Sequence, residues 1–187
     1  MKTVKEIRNE YFDNNEKLSK ESLEILKAYL EDADSKELSA AISFVTDARL
    51  IDLVPLVAKH LEHENDFIRE IVIGSLLGRL KIAEYAEKGL KVATEDPYSN
   101  VRGLAAMSLG AVINKVDVKL RNLMASYLYE VMISSNYDNL HKQSAYDSIL
   151  EALEIPITEW PAKKLNPDIS KLINLELVKN FKDKYHL

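Results

Sequence analysis

Apolar residues recur along the chain at the three- and four-residue spacing of amphipathic helices. Two of these stripes share one pattern, 33 residues apart: Ile68, Ile71, Val72, Ser75 and Leu76 in the first, and Val101, Leu104, Ala105, Ser108 and Leu109 in the second. Self-similarity at a period of about 20–50 residues is typical of stacked structural repeats. The pattern therefore predicts an array of two-helix units rather than one closed bundle.

The stripes and the polar turns between them divide the chain into six segments of one predicted domain. These are an N-terminal helix at 1–18, repeats at 19–48, 49–81, 82–114 and 115–154, and a C-terminal cap at 155–187. Ser19 is a predicted N-cap, because its hydroxyl can accept a free N–H of the first helical turn. The last helix, expected over residues 168–185, is predicted to cover the open end of the array.

Two further expectations concern single helices. Residues 49–61 are predicted to form one helix that bends at Pro55, because proline removes a backbone hydrogen bond. Residues 118–133 are predicted to form a longer first helix in the fourth repeat. The helical pattern then ends near Pro156, where prolines become frequent.

The repeated residues resemble those of the HEAT-repeat family, which belongs to the armadillo-like α-solenoids. In the family pattern, a first helix with a proline and an acidic turn precede a second helix that opens with Val-Arg and continues to Leu-Gly. Matching positions lie within residues 49–114: Pro55, Ile68-Arg69, Leu77-Gly78, Asp96, Val101-Arg102, Ala105-Ala106 and Leu109-Gly110. The resemblance implies a short right-handed α-α superhelix of about four HEAT-like helical hairpins, with an N-terminal helix and a C-terminal capping helix.

Composition supports an all-α class and narrows the possible chemistry. The 187 residues are 47% hydrophobic and 29% charged, with five Gly and five Pro, which leaves few turn residues for a sheet. There is no Cys, so disulfides, thiolate metal sites and cysteine nucleophiles are excluded. No secretory signal and no membrane-spanning apolar run can be identified, so we expect a cytoplasmic location and no membrane partner.

The formal net charge is −5 and is distributed unevenly. Residues 1–48 carry 11 acidic and 7 basic side chains, whereas residues 156–187 carry 4 acidic and 6 basic ones. An acidic chain disfavours non-specific binding to nucleic acid, because phosphate contacts require clustered Lys and Arg. The expected partner is therefore another protein, basic or neutral, and not a nucleic acid.

One cluster has the residue types of a metal site. His60, His63 and Glu64 lie near one helix end, where residues three apart share a face. The zinc signature His-Glu-x-x-His needs two histidines at a spacing of four and a third ligand, and this stretch has neither. We therefore interpret it as a solvated turn. The sequence predicts no catalytic residue, no cofactor and no metal site.

Arg69 and Arg102 open equivalent second helices, 33 residues apart. Their planar guanidinium groups could line a shared surface and bind carboxylates or phosphates. Alternatively, each could pair with a carboxylate of the neighbouring turn, Asp66 or Asp96, and hold successive repeats in register. We prefer the structural interpretation because both arginines recur with the repeat itself.

The second helices of repeats two to four are predicted to present one exposed, concave face to a partner. Arg69 and Arg102 would lie at the rim of this face. Tyr98 and Tyr137, in the turns between paired helices, are included because tyrosine contributes both area and a hydroxyl at interfaces. The predicted partner-binding surface consists of Arg69, Glu70, Ile73, Leu77, Tyr98, Arg102, Tyr137, Asp147 and Glu151.

These features favour a non-catalytic protein–protein interaction module. Size and acidity suggest a more specific hypothesis, an inhibitor or immunity protein that neutralises a basic toxin or nuclease, because opposite charges would steer the two proteins together. One alternative is a regulatory or scaffold subunit of an enzyme complex. Another follows from the resemblance, since one family of alkylpurine DNA glycosylases is built from HEAT-like repeats. Such an enzyme needs a positively charged groove, and the acidic charge of this chain disfavours it.

Overall fold

The computed structural model describes residues 1–161 and 169–187. Every regular element in these two ranges is a helix, so the predicted all-α class is confirmed. The chain divides into two compact units, unit 1 (Met1–Leu80) and unit 2 (Lys81–Leu187). Their boundary lies next to the one that the sequence predicts between the second and third repeats.

Unit 1 is built from helix pairs that contact one another in order. Its helices are α1 (Val4–Asp13), α2 (Lys20–Glu31), α3 (Leu38–Asp47), α4 (Val54–Ala58) and α5 (Asp66–Ile73). α2 packs on α3 and on α4, while α3 packs on α5. A helix therefore contacts both its pair and its counterpart in the next pair. Leu26, Leu30, Ile42 and Phe44 are buried and belong to the core of this unit.

Unit 1 begins as the sequence predicts. Val4, Ile7 and Tyr11 form the buried stripe of α1. The Ser19 hydroxyl accepts the N–H of Ser22 at 3.2 Å, so the predicted N-cap of α2 is confirmed. Both features depend on residues within one or two helical turns, which is why a local pattern is sufficient to identify them.

The helix predicted over residues 49–61 is interrupted. The chain forms a 3₁₀ turn at Ile51–Leu53, then α4, and then a second 3₁₀ turn at Lys59–Glu62. Pro55 lies in the first turn of α4, where a backbone N–H would have no intrahelical acceptor. Proline therefore begins a short helix here and does not bend a long one, which corrects the prediction.

A π-helical segment, Gly74–Arg79, follows α5 directly. At its end the Leu80 N–H donates to the Ser75 carbonyl, five residues back, at 2.9 Å. This wider turn changes which residues share a face of the helix. Ile73 and Leu77 are both fully buried. The expectation that these two residues line an exposed face is therefore wrong.

Unit 2 has the same kind of organisation. Its helices are α6 (Ala86–Glu95), α7 (Ser99–Leu109), α8 (Val118–Ile133), α9 (Asn139–Ala152), α10 (Ile169–Leu172) and α11 (Leu175–Tyr185). α6 packs on α7, α8 packs on α9, and α7 packs on α9. α8 has the bounds that the sequence predicts for the longer first helix of the fourth repeat.

α7 and α9 approach each other closely where α7 ends. The Gly110 N–H donates to the Ser148 hydroxyl at 2.6 Å, and Ser148 is itself fully buried. A Cβ atom at position 110 would overlap the backbone of Ser148. Glycine is required here because the α7 backbone at position 110 lies directly against the α9 backbone at Ser148.

The predicted final helix is observed as two helices. Asp168, its expected first residue, lies outside the described residues. α10 and α11 are separated at Asn174, whose side chain caps α11 by accepting the Glu176 N–H at 3.0 Å. α11 packs on α8 and α9, and its Phe181 and Tyr185 are buried.

Two histidines bind carbonyls at the end of α2. His60 Nε2 donates to the Leu30 carbonyl at 2.7 Å, and His63 Nε2 donates to the Ala33 carbonyl at 3.0 Å. The last carbonyls of a helix lack intrahelical donors, so the His60 bond supplies a partner for Leu30. The His63 bond does the same for a carbonyl of the turn that follows α2. Because His60 is buried, the interpretation of its stretch as a solvated turn is corrected at this residue. Across residues 1–161 and 169–187, no group of His, Cys, Asp and Glu is arranged to hold a metal ion.

Gly110→Ala should lower the free energy of unfolding by about 1–3 kcal/mol, the usual cost of overpacking a core. The new methyl group would push the backbones of α7 and α9 apart. Gly103→Ala is the matched control, because a Cβ there would lie 3.5 Å from Ser144 Oγ, which is an ordinary contact. Alanine is also favoured over glycine by about 1 kcal/mol within a helix. Urea denaturation measures both changes, and equal stability of the two variants would contradict the packing argument.

His60→Leu removes the donor to a buried carbonyl, so we expect it to cost about 1–3 kcal/mol of stability. His63→Leu removes the same kind of bond at a more exposed position, where water can replace the donor, and should cost less than about 0.5 kcal/mol. Denaturant unfolding of both variants provides the comparison. Losses of equal size would show that burial of the bond is not the deciding factor.

Candidate functional site

Arg69 and Arg102 bind backbone carbonyls of the turn that precedes their own helix. Arg69 Nη1 donates to the His63 carbonyl at 2.7 Å and to the Glu64 carbonyl at 3.0 Å. Arg102 Nη1 donates to the Asp96 carbonyl at 2.6 Å. In both cases one acceptor lies six residues before the arginine. These contacts connect each arginine to its own turn in an equivalent way.

Other residues of the predicted surface have different surroundings. Tyr98 is exposed and directly precedes α7. Glu151 accepts a charged hydrogen bond from Lys81 Nζ at 2.7 Å. Glu70 is half-buried in unit 1. Asp147 is only 2% exposed, so the expectation that it belongs to an open surface is corrected.

A groove in unit 2 lies between the first halves of α7 and α9, and we call it the α7–α9 groove. Its volume is about 270 Å³. Its lining residues are Ser99, Asn100, Gly103, Leu104, Met107, Asp138, Leu140, His141, Gln143, Ser144 and Asp147. On each helix most of them recur at spacings of three and four, which is the spacing of one helix face.

Two buried side chains of the α7–α9 groove hold polar atoms without hydrogen-bond partners. His141 is 5% exposed and Gln143 is 6% exposed. Within the part of the chain that the structure describes, His141 Nε2 and Gln143 Oε1 have no partner. A third such atom, Arg121 Nε, is not in the groove. A buried polar atom without a partner costs about 1–3 kcal/mol and is rare in folded proteins.

The Asp138 carboxylate faces one nitrogen of the His141 ring. Its Oδ2 lies 3.5 Å from His141 Nδ1. A facing carboxylate favours the tautomer with a proton on that nitrogen, which leaves a lone pair on Nε2 of the neutral ring. The side-chain oxygen of Gln143 is also an acceptor. Both unpartnered atoms therefore require a hydrogen-bond donor.

The charged residues of the α7–α9 groove are acidic. Its lining includes Asp138 and Asp147, and none of the described lining residues is Lys or Arg. Asp138 also caps α9, since its Oδ1 accepts the His141 backbone N–H at 2.8 Å. This hydrogen bond lowers the pKa of the Asp138 carboxyl. The groove thus combines acceptor atoms with negative charge, as a site for a cationic donor requires.

One of the nine predicted surface residues lines this groove, and a second lies beside one of its lining residues. Asp147 lines it, and the Tyr137 ring centre is 6.0 Å from that of His141. His141 and Gln143 do not belong to the surface that the sequence predicts. The sequence does contain an indication for Gln143. It lies three residues before Tyr146, so the two share one face of the helix, and Tyr146 is buried. Gln143 is therefore a polar residue on the apolar face of α9.

Comparisons with protein families, with curated proteins and with solved structures find no match to this chain. Among the described helices, none combines the length and the apolar character that crossing a membrane requires. The α7–α9 groove is therefore interpreted from its own geometry and charge.

Asp138→Asn should separate the charge of this cap from its hydrogen bond, because Asn also caps helices well. The pKa of Asp138 in the folded chain is below its ordinary value of 3.8. Its ionised form therefore stabilises unit 2 above that value, and this contribution is lost as the pH falls below it. We expect the wild type to unfold at a higher temperature than Asp138→Asn at about pH 7, and the difference to shrink progressively as the pH falls below 3.8.

Asp138→Ala is the control for this measurement. It loses the cap itself, which is worth about 0.5–2 kcal/mol, so its lower unfolding temperature should persist in acid. If the difference in unfolding temperature between the wild type and Asp138→Asn does not change with pH, the role assigned to the Asp138 charge is contradicted.

Proposed function

We propose that this chain is a non-catalytic protein-binding module that inhibits a basic protein, such as a toxin or a nuclease. The observation that carries the proposal is the α7–α9 groove, in which buried acceptor atoms, carboxylates and apolar side chains lie together. This combination suits a partner surface that offers cationic donors. The fold would be a short HEAT-like superhelix, and the protein would act in the cytoplasm.

Equivalent contacts in the two units support a HEAT-like repeat. The His60 ring donates to the Leu30 carbonyl in unit 1, and the Tyr127 hydroxyl donates to the Ala93 carbonyl in unit 2 at 2.9 Å. In each case the first helix of a predicted repeat reaches the first helix of the repeat before it. The separations of 30 and 34 residues are close to the period of the sequence pattern.

The net negative charge resides in unit 1. Residues 1–80 carry 16 acidic and 11 basic side chains, whereas residues 81–187 carry 14 of each. Acidic surfaces raise the rate at which a protein meets a basic partner. Unit 1 would therefore attract the partner electrostatically, and the α7–α9 groove of unit 2 would supply the specific contacts.

Apolar side chains at the groove provide area for such contacts. Leu140 is 58% exposed at the start of α9. Leu104 and Met107 are partly exposed along α7. Protein interfaces typically combine an apolar centre with polar groups around it, and the α7–α9 groove has both kinds of residue.

Affinity capture with the full chain tests the proposal. We expect the wild type to retain a basic protein in stoichiometric amount, and Leu140→Glu to reduce its affinity about tenfold or more, because a charge replaces an apolar contact. Leu123→Glu is the matched control, since Leu123 is a leucine of similar exposure on α8, at 53%, outside the groove. Mass spectrometry identifies the partner, and calorimetry measures its affinity for each variant.

The proposal is wrong if no protein is retained in stoichiometric amount, or if Leu140→Glu and Leu123→Glu retain it equally well. Inhibition is measured separately with the purified partner. One equivalent of the wild-type chain should abolish the partner's toxic or nuclease activity, and an unchanged activity would exclude the inhibitor function.

A further inference from the structure

The α7–α9 groove also indicates which chemical group of a partner it accepts. We propose that it binds one arginine side chain, with the guanidinium at the acceptor atoms and the aliphatic stem along the apolar wall. The arginine would come from the bound protein, so this inference depends on the proposed function and specifies its ligand class.

A guanidinium group matches the hydrogen-bonding needs of the groove. His141 Nε2 and Gln143 Oε1 both require donors, and neither has a partner in the described structure. Guanidinium presents five N–H donors in one plane and has no acceptor of its own. It can therefore donate to acceptors in the groove without bringing in a further acceptor that would need a partner.

Charge favours a cation over a neutral donor. Asp138 lines the groove and accepts the His141 backbone N–H, which holds its carboxyl in the ionised form at neutral pH. Asp147 lines the groove on the same helix. Hydrogen bonds with a charged partner are about twice as strong as those between neutral groups.

The N-terminus of α7 favours a negatively charged ligand, which opposes the preference of the carboxylates for a cation. Ser99 opens α7 and lines the groove, and Tyr98 before it provides no side-chain cap. Helix N-termini attract anions. An anion in the groove, however, would bring its oxygens next to unpartnered acceptors and carboxylates, which repel it. Phosphate is therefore the rival ligand that the experiment includes.

The size and the apolar lining of the groove fit a single side chain. Its volume of about 270 Å³ lies below the range of about 300–1,000 Å³ for pockets that hold drug-sized ligands. Leu104, Met107 and Leu140 provide apolar surface for an alkyl stem. Arginine is proposed over lysine because guanidinium is less strongly hydrated than ammonium and is the preferred cation at buried interface sites.

The chain offers convenient reporters for a test by NMR. Gln143 is its only glutamine, and His141 is one of four histidines. Isotope labelling of these two residue types in the full chain gives one side-chain amide and four imidazole rings to follow. The probes are ethylguanidinium for arginine, ethylammonium for lysine and inorganic phosphate for an anion, at constant ionic strength and about pH 8, where histidine is ordinarily neutral.

We expect ethylguanidinium to shift the Gln143 and His141 signals in a saturable manner. Ethylammonium should bind at least about fivefold more weakly than ethylguanidinium. Phosphate should produce no shift. His60 in unit 1 is the internal control, because its ring is already bound to the Leu30 carbonyl and should not respond.

Asp138→Asn and Asp117→Asn form a matched pair of variants. Both aspartates cap helices, since Asp117 Oδ1 accepts the Leu120 N–H at the start of α8 at 3.0 Å, but of the two only Asp138 lines the groove. We expect Asp138→Asn to weaken ethylguanidinium binding about tenfold and Asp117→Asn to leave it unchanged. Gln143→Leu, followed at His141, should also weaken binding without lowering the unfolding temperature, because the Gln143 oxygen has no hydrogen bond to lose.

Three results would overturn the inference: no saturable shift, equal affinity for ethylguanidinium and ethylammonium, or a response to phosphate alone. If partner capture depends on Leu140 but ethylguanidinium does not bind, the docking function stands and the arginine assignment fails. If ethylguanidinium binds but capture does not depend on Leu140, the groove binds a free guanidinium compound and the proposed function fails.

Discussion

The packing of α7 against α9 is the constraint on which unit 2 depends. Because position 110 has no side chain, the backbone of α7 reaches the Ser148 hydroxyl directly. The two helices then lie close enough for their first halves to line one groove, to which Gly103 and Ser144 both contribute. α11 packs on α9 as well. The position of the α7–α9 groove is therefore fixed by the same contacts that form the core of this unit.

Side chains of one helix repeatedly donate hydrogen bonds to main-chain carbonyls near the end of another helix. Near the end of α6, the Ala93 carbonyl accepts from Tyr127 and the Asp96 carbonyl accepts from Arg102. Burial raises the pKa of Tyr127, which keeps its hydroxyl protonated and able to donate. Long polar side chains thus supply the partners that the helices themselves do not provide. The groove of the same unit differs, because two of its buried acceptors have no such partner among the described residues.

Features that depend on neighbouring residues could be predicted, and features that depend on packing could not. The Ser19 cap and the bounds of α8 follow from local side-chain chemistry and apolar spacing. The effect of Pro55 depends on where the helix begins, which the local pattern does not show. The burial of Leu77 accompanies a π-helical segment that no local pattern indicates. At the candidate site, the spacing identifies the face on which Gln143 lies. Whether its oxygen finds a donor is decided by the adjacent helix, which the spacing does not reveal.

The unpartnered acceptor atoms of His141 and Gln143 lower the stability of the fold, so packing alone does not account for these two polar residues. An apolar side chain of similar shape at position 143 would avoid the cost of a buried acceptor, which is about 1–3 kcal/mol. That cost is large compared with a typical domain stability of about 5–15 kcal/mol. Local features that lower stability without an evident structural gain are expected at functional sites. Arg69, Arg102 and His60 show that this chain can pair polar side chains with main-chain carbonyls near helix ends. The exception at His141 and Gln143 is therefore the observation on which the proposed binding of a donor from a partner protein rests.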